Sequence, residues 1–305
     1  MTNREYHADP AISKSDLDQI HRSPLHWQYR KAHPPEQTPA LLVGSAVHKM
    51  ILEPSGFADE FAVAPETDRR TKAGREAYQA FQESAAGKTV ITSEIYRLCT
   101  DMAEALSHCQ TARQLLTGGR AEQSFFWDDV HTGIRCKCRP DYLRDGFCVD
   151  YKTTQDASPE AFQKAAYRYR YPVQAYWYLH GLGKNGLSGL DFVFIAQEKE
   201  PPYAAAVYYA DELFLQLGQQ EGLGNTGKVQ KHRHLQRLSG GNSAADTAEI
   251  RPQRSDVSDV KEYHTWKIMH WQATRLPHRK STTTPTRAPW RSNPARRWQR
   301  HRASW

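Results

Sequence analysis

Asp141, Asp150 and Lys152 are spaced D-x8-D-x-K in a stretch that reads as a β-hairpin. Between its two runs of strand-forming residues lies Asp145-Gly146, a dipeptide that favours a two-residue type I′ loop. With that loop the numbers of facing residues sum to 291, so Asp141 faces Asp150 and Arg139 faces Lys152. Facing Cβ atoms lie roughly 4.5–5.5 Å apart, where like charges destabilise a sheet. Two carboxylates so placed need a cation, and a divalent metal ion meets that need. Hard oxygens hold Mg(2+), the metal polarises a phosphate and acidifies a water, and the Lys152 ammonium holds or deprotonates that water. The competing reading is a solvated hairpin edge of mixed charge. Tyr142, Val149 and Tyr151, which alternate with the acids, favour a buried strand pair instead.

Other residues could join this chemistry. Gln174 and Tyr178 are four apart and share a helix face, from which they could reach a phosphate or hold Lys152. They could equally belong to the packing surface of the neighbouring tyrosines. Arg168 and Arg170, interleaved with Tyr167, Tyr169 and Tyr171, have the pattern of phosphate contacts between aromatic rings. Glu122 opens the strand before the hairpin and is a candidate additional acid near the metal. His48 lies on an apolar helical stripe, where a lone histidine by itself reads as a core residue.

These residues need a frame. Ser13 and Ser15 can cap a helix running towards Ile20, and Ser23-Pro24 offers a cap with proline in the first turn. Apolar residues between 41 and 52 recur at helical spacing, and further helices are expected at about 72–86, 92–107 and 110–117. Residues 122–130, 133–143 and 147–154 read as strands. Ser158-Pro159 opens a long helix to about 182 that Pro172 kinks or splits. Two strands, 190–197 and 203–210, and a short helix capped by Asp211 complete the pattern. Helices followed by strands, a helix and more strands make a mixed α+β fold.

Net charge is informative once divided. The chain carries 41 Lys/Arg and 34 Asp/Glu, a balance of +7, but residues 224–305 hold 17 basic and 5 acidic side chains. Residues 1–223 are therefore at −5, and overall basicity says nothing of what they bind. Apolar content of 39% allows an ordinary core; no apolar run is long enough for a membrane span and MTNREYHADP has no apolar segment after a basic start, so neither a span nor a signal peptide is expected. A cytoplasmic location is expected. The five cysteines lack CxxC spacing and read as reduced thiols. Beyond about residue 222 no period persists, so 221–305 read as a basic, disordered tail. Residues 223–250 can be back-translated so that the next reading frame gives a folded-protein pattern. A frameshift near 219–223 is the expectation drawn from this, and sequencing the gene tests it.

GIRCKCRPDYL followed by FCVDYKTT resembles the PD-(D/E)xK nuclease superfamily, and within it the RecE-type (exonuclease VIII) exonucleases of prophage recombination systems. The elements occur in family order: His48 in VGSAVHKMILEP, then Asp141, Asp150 and Lys152, then Gln174 and Tyr178 in YPVQAYWYL. AISKSDLDQIHRSPLHWQYRK also resembles the family's opening helices, so the likeness spans about residues 5–220. It implies a central mixed sheet with an antiparallel hairpin, flanked by helices, after an N-terminal helical region (1–120, with the core at 121–220). His48, Asp141, Asp150 and the Tyr151 carbonyl, with Glu122 as an addition, would hold Mg(2+). Asp141, Asp150, Lys152, Gln174 and Tyr178 would carry catalysis, and Arg139, Arg168 and Arg170 would touch DNA. The implied activity is degradation of linear double-stranded DNA, 5′ to 3′, leaving 3′ single strands, by a ring-shaped homo-oligomer with a single-strand annealing partner. The alternative is a non-catalytic, DNA-binding recombination accessory on the same scaffold.

Overall fold

The computed structural model describes residues 1–238 and 268–272. They lie in the first of two compact units, Met1–Arg275; the second, Leu276–Trp305, falls outside the described residues. Small polar residues start the early helices α1 (Asn3–Ala8), α2 (Lys14–Arg22), α3 (Pro24–Ala32) and α4 (Pro39–Leu52). Thr2 with Glu5 and Ser13 with Asp16 form capping boxes, while Ser23 and Thr38 cap helices that carry proline in the first turn. The chain continues through α5 (Phe57–Glu60), β1 (Phe61–Val63), α6 (Lys72–Ser84), β2 (Thr89–Ile91), α7 (Ser93–Ser107) and α8 (Gln110–Leu115). β1 and β2 form a small parallel pair.

The strands that position the site follow as β3 (Arg120–Ala121), β4 (Phe125–Asp128), β5 (Arg135–Cys138), β6 (Tyr142–Arg144) and β7 (Phe147–Thr154). After α9 (Pro159–Arg168) and α10 (Tyr171–Lys184) come β8 (Asp191–Glu198), β9 (Ala205–Tyr209), α11 (Glu212–Leu238) and β10 (Ile268–Gln272). The fold is mixed α+β: a six-stranded sheet of order β10-β9-β8-β7-β6-β3 with helices around it. β7 and β8 are parallel, with Asp150 opposite Phe194, and the other pairings are antiparallel. A parallel neighbour requires a long crossover, which α9 and α10 supply. Both strands are buried, as central parallel strands are.

The expected hairpin register is present: Tyr142 faces Val149 and Arg144 faces Phe147, each pair summing to 291. The turn differs from the expected type I′. Gly146 is left-handed (φ 80°) but Asp145 is not, whereas type I′ requires both. The single strand expected over 133–143 also divides at Arg139-Pro140. Proline has no N–H to give a ladder, and β5 pairs with β4 in a separate sheet while β6 joins the main one. Arg139 therefore does not face Lys152.

At the other end, α11 extends to Leu238, past residue 222 where the sequence pattern lapses, and β10 pairs with β9. The expectations of disorder and of a frameshifted product for the rest of the tail lie outside the described residues. Among the described residues no helix is long and apolar enough to cross a membrane.

One core cluster packs α9, α10 and α11 on the sheet around Phe162, Phe192, Phe194 and Tyr208. A second joins α2, β4, β5 and α10 through Leu17, Ile20, Trp127 and Trp177. Two glycines mark the closest approaches. A Cβ on Gly181 would sit 2.4 Å from the Trp127 ring, and one on Gly218 would sit 2.0 Å from the Pro172 carbonyl. Gly181→Ala and Gly218→Ala are expected to lower stability by about 1–3 kcal/mol through overpacking. Gly44→Ala, where a Cβ meets open space, should be neutral or stabilising by up to about 1 kcal/mol. Denaturant unfolding of the three purified variants checks this; equal midpoints would contradict the packing of α10 against β4 and α11.

Candidate active site

Helix α4 and one side of the six-stranded sheet converge on one cluster of polar groups. Helix α4 brings His48, the residue after β3 brings Glu122, the entry to β6 brings Asp141, and β7 brings Asp150 and Lys152. Glu122 adopts a left-handed backbone (φ 51°), uncommon for a side-chain-bearing residue. Its N–H is tied to the Asp141 carbonyl at 3.1 Å, and its carboxylate approaches His48 Nδ1 at 3.8 Å. On the other side of the ring, Nε2 donates to the Tyr151 carbonyl at 3.0 Å and lies 3.2 Å from Asp141 Oδ2. The same Oδ2 accepts the Tyr151 N–H at 2.7 Å. One ligand atom each from His48, Glu122 and Asp141 fit within 4.8 Å of one another.

Asp150 is the most deeply placed acid, with no exposed surface. Gln174 Nε2 donates to its Oδ1 at 2.6 Å, and Lys152 Nζ lies 2.5 Å from its Oδ2. That oxygen has an ionic neighbour but no donor aligned for a hydrogen bond. Burial, reinforced by repulsion from Asp141, pushes the Asp150 carboxyl up to about 6 despite Lys152. Burial opposes the Lys152 ammonium too, yet Asp150 and Asp141 raise its pKa. His48 is likewise disfavoured by burial, but Asp141, Glu122 and the Tyr151 carbonyl hold its pKa well above the ordinary range. Glu122 is raised by burial and by Asp141, whereas for Asp141 the pull of His48 and Lys152 overcomes burial and lowers it. Three carboxylates therefore crowd the Lys152 ammonium and the His48 imidazole, whose charged form they favour as a counter-charge. A metal ion would take over that role. The hard carboxylate and carbonyl oxygens and one imidazole suit a hard divalent ion, and the unaligned Asp150 Oδ2 is a further oxygen for one.

The sequence-derived candidates divide into two groups. His48, Glu122, Asp141, Asp150, the Tyr151 carbonyl, Lys152 and Gln174 form the cluster, with Gln174 holding Asp150 rather than Lys152. Half-buried Tyr178 lines, with Gln174, an adjoining cleft of about 720 Å³ whose walls include Lys14, Arg30, Lys31 and Lys137. Arg139 does not reach the cluster as a DNA contact would. It is 7% exposed, and its guanidinium donates to Ser124, Asn3 and the Met1 and Thr2 carbonyls, fastening α1. Arg170 is left-handed (φ 55°) and binds Asp18, the Leu17 carbonyl and Glu221, tying α2 and α11 to the start of α10. Only Arg168 of the three arginines stays exposed.

Sequence reasoning passed over Gln197. It accepts the Tyr151 hydroxyl at 2.7 Å and donates to the Met102 carbonyl at 2.9 Å, fixing from behind the strand whose carbonyl faces His48. A lone glutamine ending the apolar run FVFIA was the available signal.

Comparison with known proteins bears on the fold. A crystal structure provisionally described as an exonuclease from Eubacterium rectale superposes with a TM-score of 0.54 at 14% identity, covering 80% of this chain and 88% of that one. At that identity the likeness is one of fold. No curated protein matches the chain at a significant level. The sequence does match, over residues 13–246, the family described as "PDDEXK-like domain of unknown function (DUF3799)". That match takes in every residue of the cluster, and the chain belongs to this PDDEXK-like family.

Proposed function

We propose that the chain is a Mg(2+)-dependent exodeoxyribonuclease of RecE type that degrades linear double-stranded DNA, 5′ to 3′, and leaves 3′ single strands. One observation carries the reading: a fully buried Asp150, clasped by Lys152 and Gln174, stands beside a His48–Glu122–Asp141 cluster able to hold a metal. A structural ion pair would be an expensive use of these groups, since a buried charge pair seldom repays its desolvation. The PDDEXK-like family and the fold shared with a protein described as an exonuclease support the class of reaction. Order of motifs supports the narrower RecE assignment, and with it a homo-oligomeric ring, a single-strand annealing partner and a cytoplasmic setting.

His48, Glu122, Asp141, Asp150 and the Tyr151 carbonyl would hold the ion. When bound, it polarises the scissile phosphate and lowers the pKa of water. The chain's own residues do the positioning. Gln174 fixes the rotation of the Asp150 carboxylate, and Asp150 keeps the Lys152 ammonium in place and charged. Lys152 then orients the attacking water or stabilises the charge gathering on phosphate oxygens. Tyr178, beside Gln174, would meet a substrate in the adjoining cleft that it lines.

Asp150→Asn and Lys152→Ala should each lower nucleotide release by at least about 100-fold with the fold retained. Gln174→Ala, which only loosens Asp150, should cost about 10- to 100-fold. Release of acid-soluble nucleotides from end-labelled linear duplex, with and without Mg(2+), measures all three. Undiminished release by Asp150→Asn would remove the site, and duplex binding without release by the unmodified chain would favour the accessory role. Divalent ion should also raise the unfolding temperature by mass action. His48→Ala and Asp141→Asn should abolish that rise; a full rise in both would place the ion elsewhere.

A further inference from the structure

Beside the candidate active site, the connection between α9 and α10 carries tyrosines that the proposed chemistry does not use. The run Tyr167-Arg168-Tyr169-Arg170-Tyr171 crosses the break between the two helices, where Arg170 is left-handed. The break divides the tyrosines. Tyr171 turns inward, stacked on Phe194 at 5.4 Å between ring centroids. Tyr167 and Tyr169 stay outside, 45% and 54% exposed. Tyr169 is stacked on Tyr171 at 6.0 Å with 26° between the rings, and Lys152 Nζ lies 5.2 Å from the Tyr171 centroid. The lysine of the site, the half-buried ring and the exposed ring thus form one continuous path from the cluster to the surface.

The exposed Arg168 cation on this path suits an anionic partner, and its guanidinium lies 5.6 Å from the Tyr169 centroid. Lys14, paired with Asp18 at 2.8 Å, holds the backbone beneath that ring by donating to the Tyr169 carbonyl at 2.7 Å. Lys14 also lines the cleft that holds Gln174 and Tyr178, so one side chain links the Tyr169 backbone to that cleft. Half-exposed aromatic rings interleaved with cations are what a polyanion with flat apolar faces requires, and single-stranded nucleic acid is such a ligand. Bases within a duplex are covered by their neighbours and must leave the stack before a side chain can take their faces.

We propose that Tyr169, backed by Tyr171 and flanked by Arg168, is a stacking platform for an unpaired base of the DNA strand whose phosphate enters the site. The proposal rests on the nuclease reading and deepens it: the strand is held unpaired at the site, so frayed or single-stranded ends are the form engaged. Arg168 faces the backbone of that strand, and the ring contact is indifferent to sequence because every base has a π face.

The test uses the full chain in chelator, so that binding is read without hydrolysis. Fluorescence anisotropy compares a labelled oligothymidylate with an oligomer of equal length built from abasic sugars. Both carry the same phosphates, so the salt-dependent electrostatic contribution is common to the two. The unmodified chain should bind the base-bearing strand about 5- to 100-fold more tightly. Tyr169→Ala should erase that preference, while Tyr169→Phe and Tyr169→Trp keep it. Equal affinity for the two strands, or a preference that survives in Tyr169→Ala, would overturn the platform. A parallel digestion with Mg(2+) separates the two readings. Hydrolysis without base preference removes the platform alone, whereas base preference without hydrolysis removes the nuclease assignment and leaves the platform standing.

Discussion

A carboxylate with no access to water sits at the centre of this structure, and its neighbours make its burial tolerable. Asp150 lies on a strand covered on both faces, where an unpaired charge would cost several kcal/mol or else give up its ionisation. The carboxyl is indeed pushed up to about 6. Lys152 and Gln174 offset the burial, and each comes from a different constraint. Lys152 shares a face with Asp150 because strand side chains alternate. Gln174 reaches it because the crossover between parallel β7 and β8 lays α10 against the sheet.

The same crossover organises the surroundings. Its break at Tyr169-Arg170 satisfies two demands at once: Pro172 starts a new helix, and the Arg170 guanidinium pins that start to Asp18 and Glu221. The position and charge of this cation suit a ligand contact, yet its guanidinium is held within the fold by Asp18, the Leu17 carbonyl and Glu221. Arg139 repeats the lesson, since its guanidinium holds the first helix through backbone carbonyls. Arginines with several partners inside the fold are structural fasteners, and of the three arginine candidates only Arg168 is left on the surface.

Much of the fold was legible because its signals are local. Ser13, Ser23 and Ser158 mark helix starts through the geometry of the first turn, and Asp145-Gly146 marks the hairpin and its register. Less local features were misread. The run 133–143 looks like one strand because alternation continues across Arg139-Pro140, whereas the proline ends one ladder and the chain enters a second sheet. The turn type followed from the dipeptide's preference, and the sheet imposed a form with only Gly146 left-handed. Apolar periodicity lapses near residue 222, whereas α11 continues to Leu238.

The sequence by itself singled out the candidate residues: Asp141, Asp150 and Lys152 follow from a short hairpin whose facing positions are set by its two-residue loop. It also placed His48 on a helix by apolar periodicity, and Gln174 and Tyr178 on the helix that Ser158-Pro159 opens. Only the tertiary structure decided what those helices meet. His48 lies 103 positions from the Tyr151 carbonyl it contacts, and Gln174 lies 24 from Asp150. Such pairings depend on how whole elements pack, and no local rule of spacing encodes that. The division between arginines free to meet a ligand and arginines consumed by the fold has the same origin: charge is a property of the residue, but the partner that neutralises it is a property of the packing.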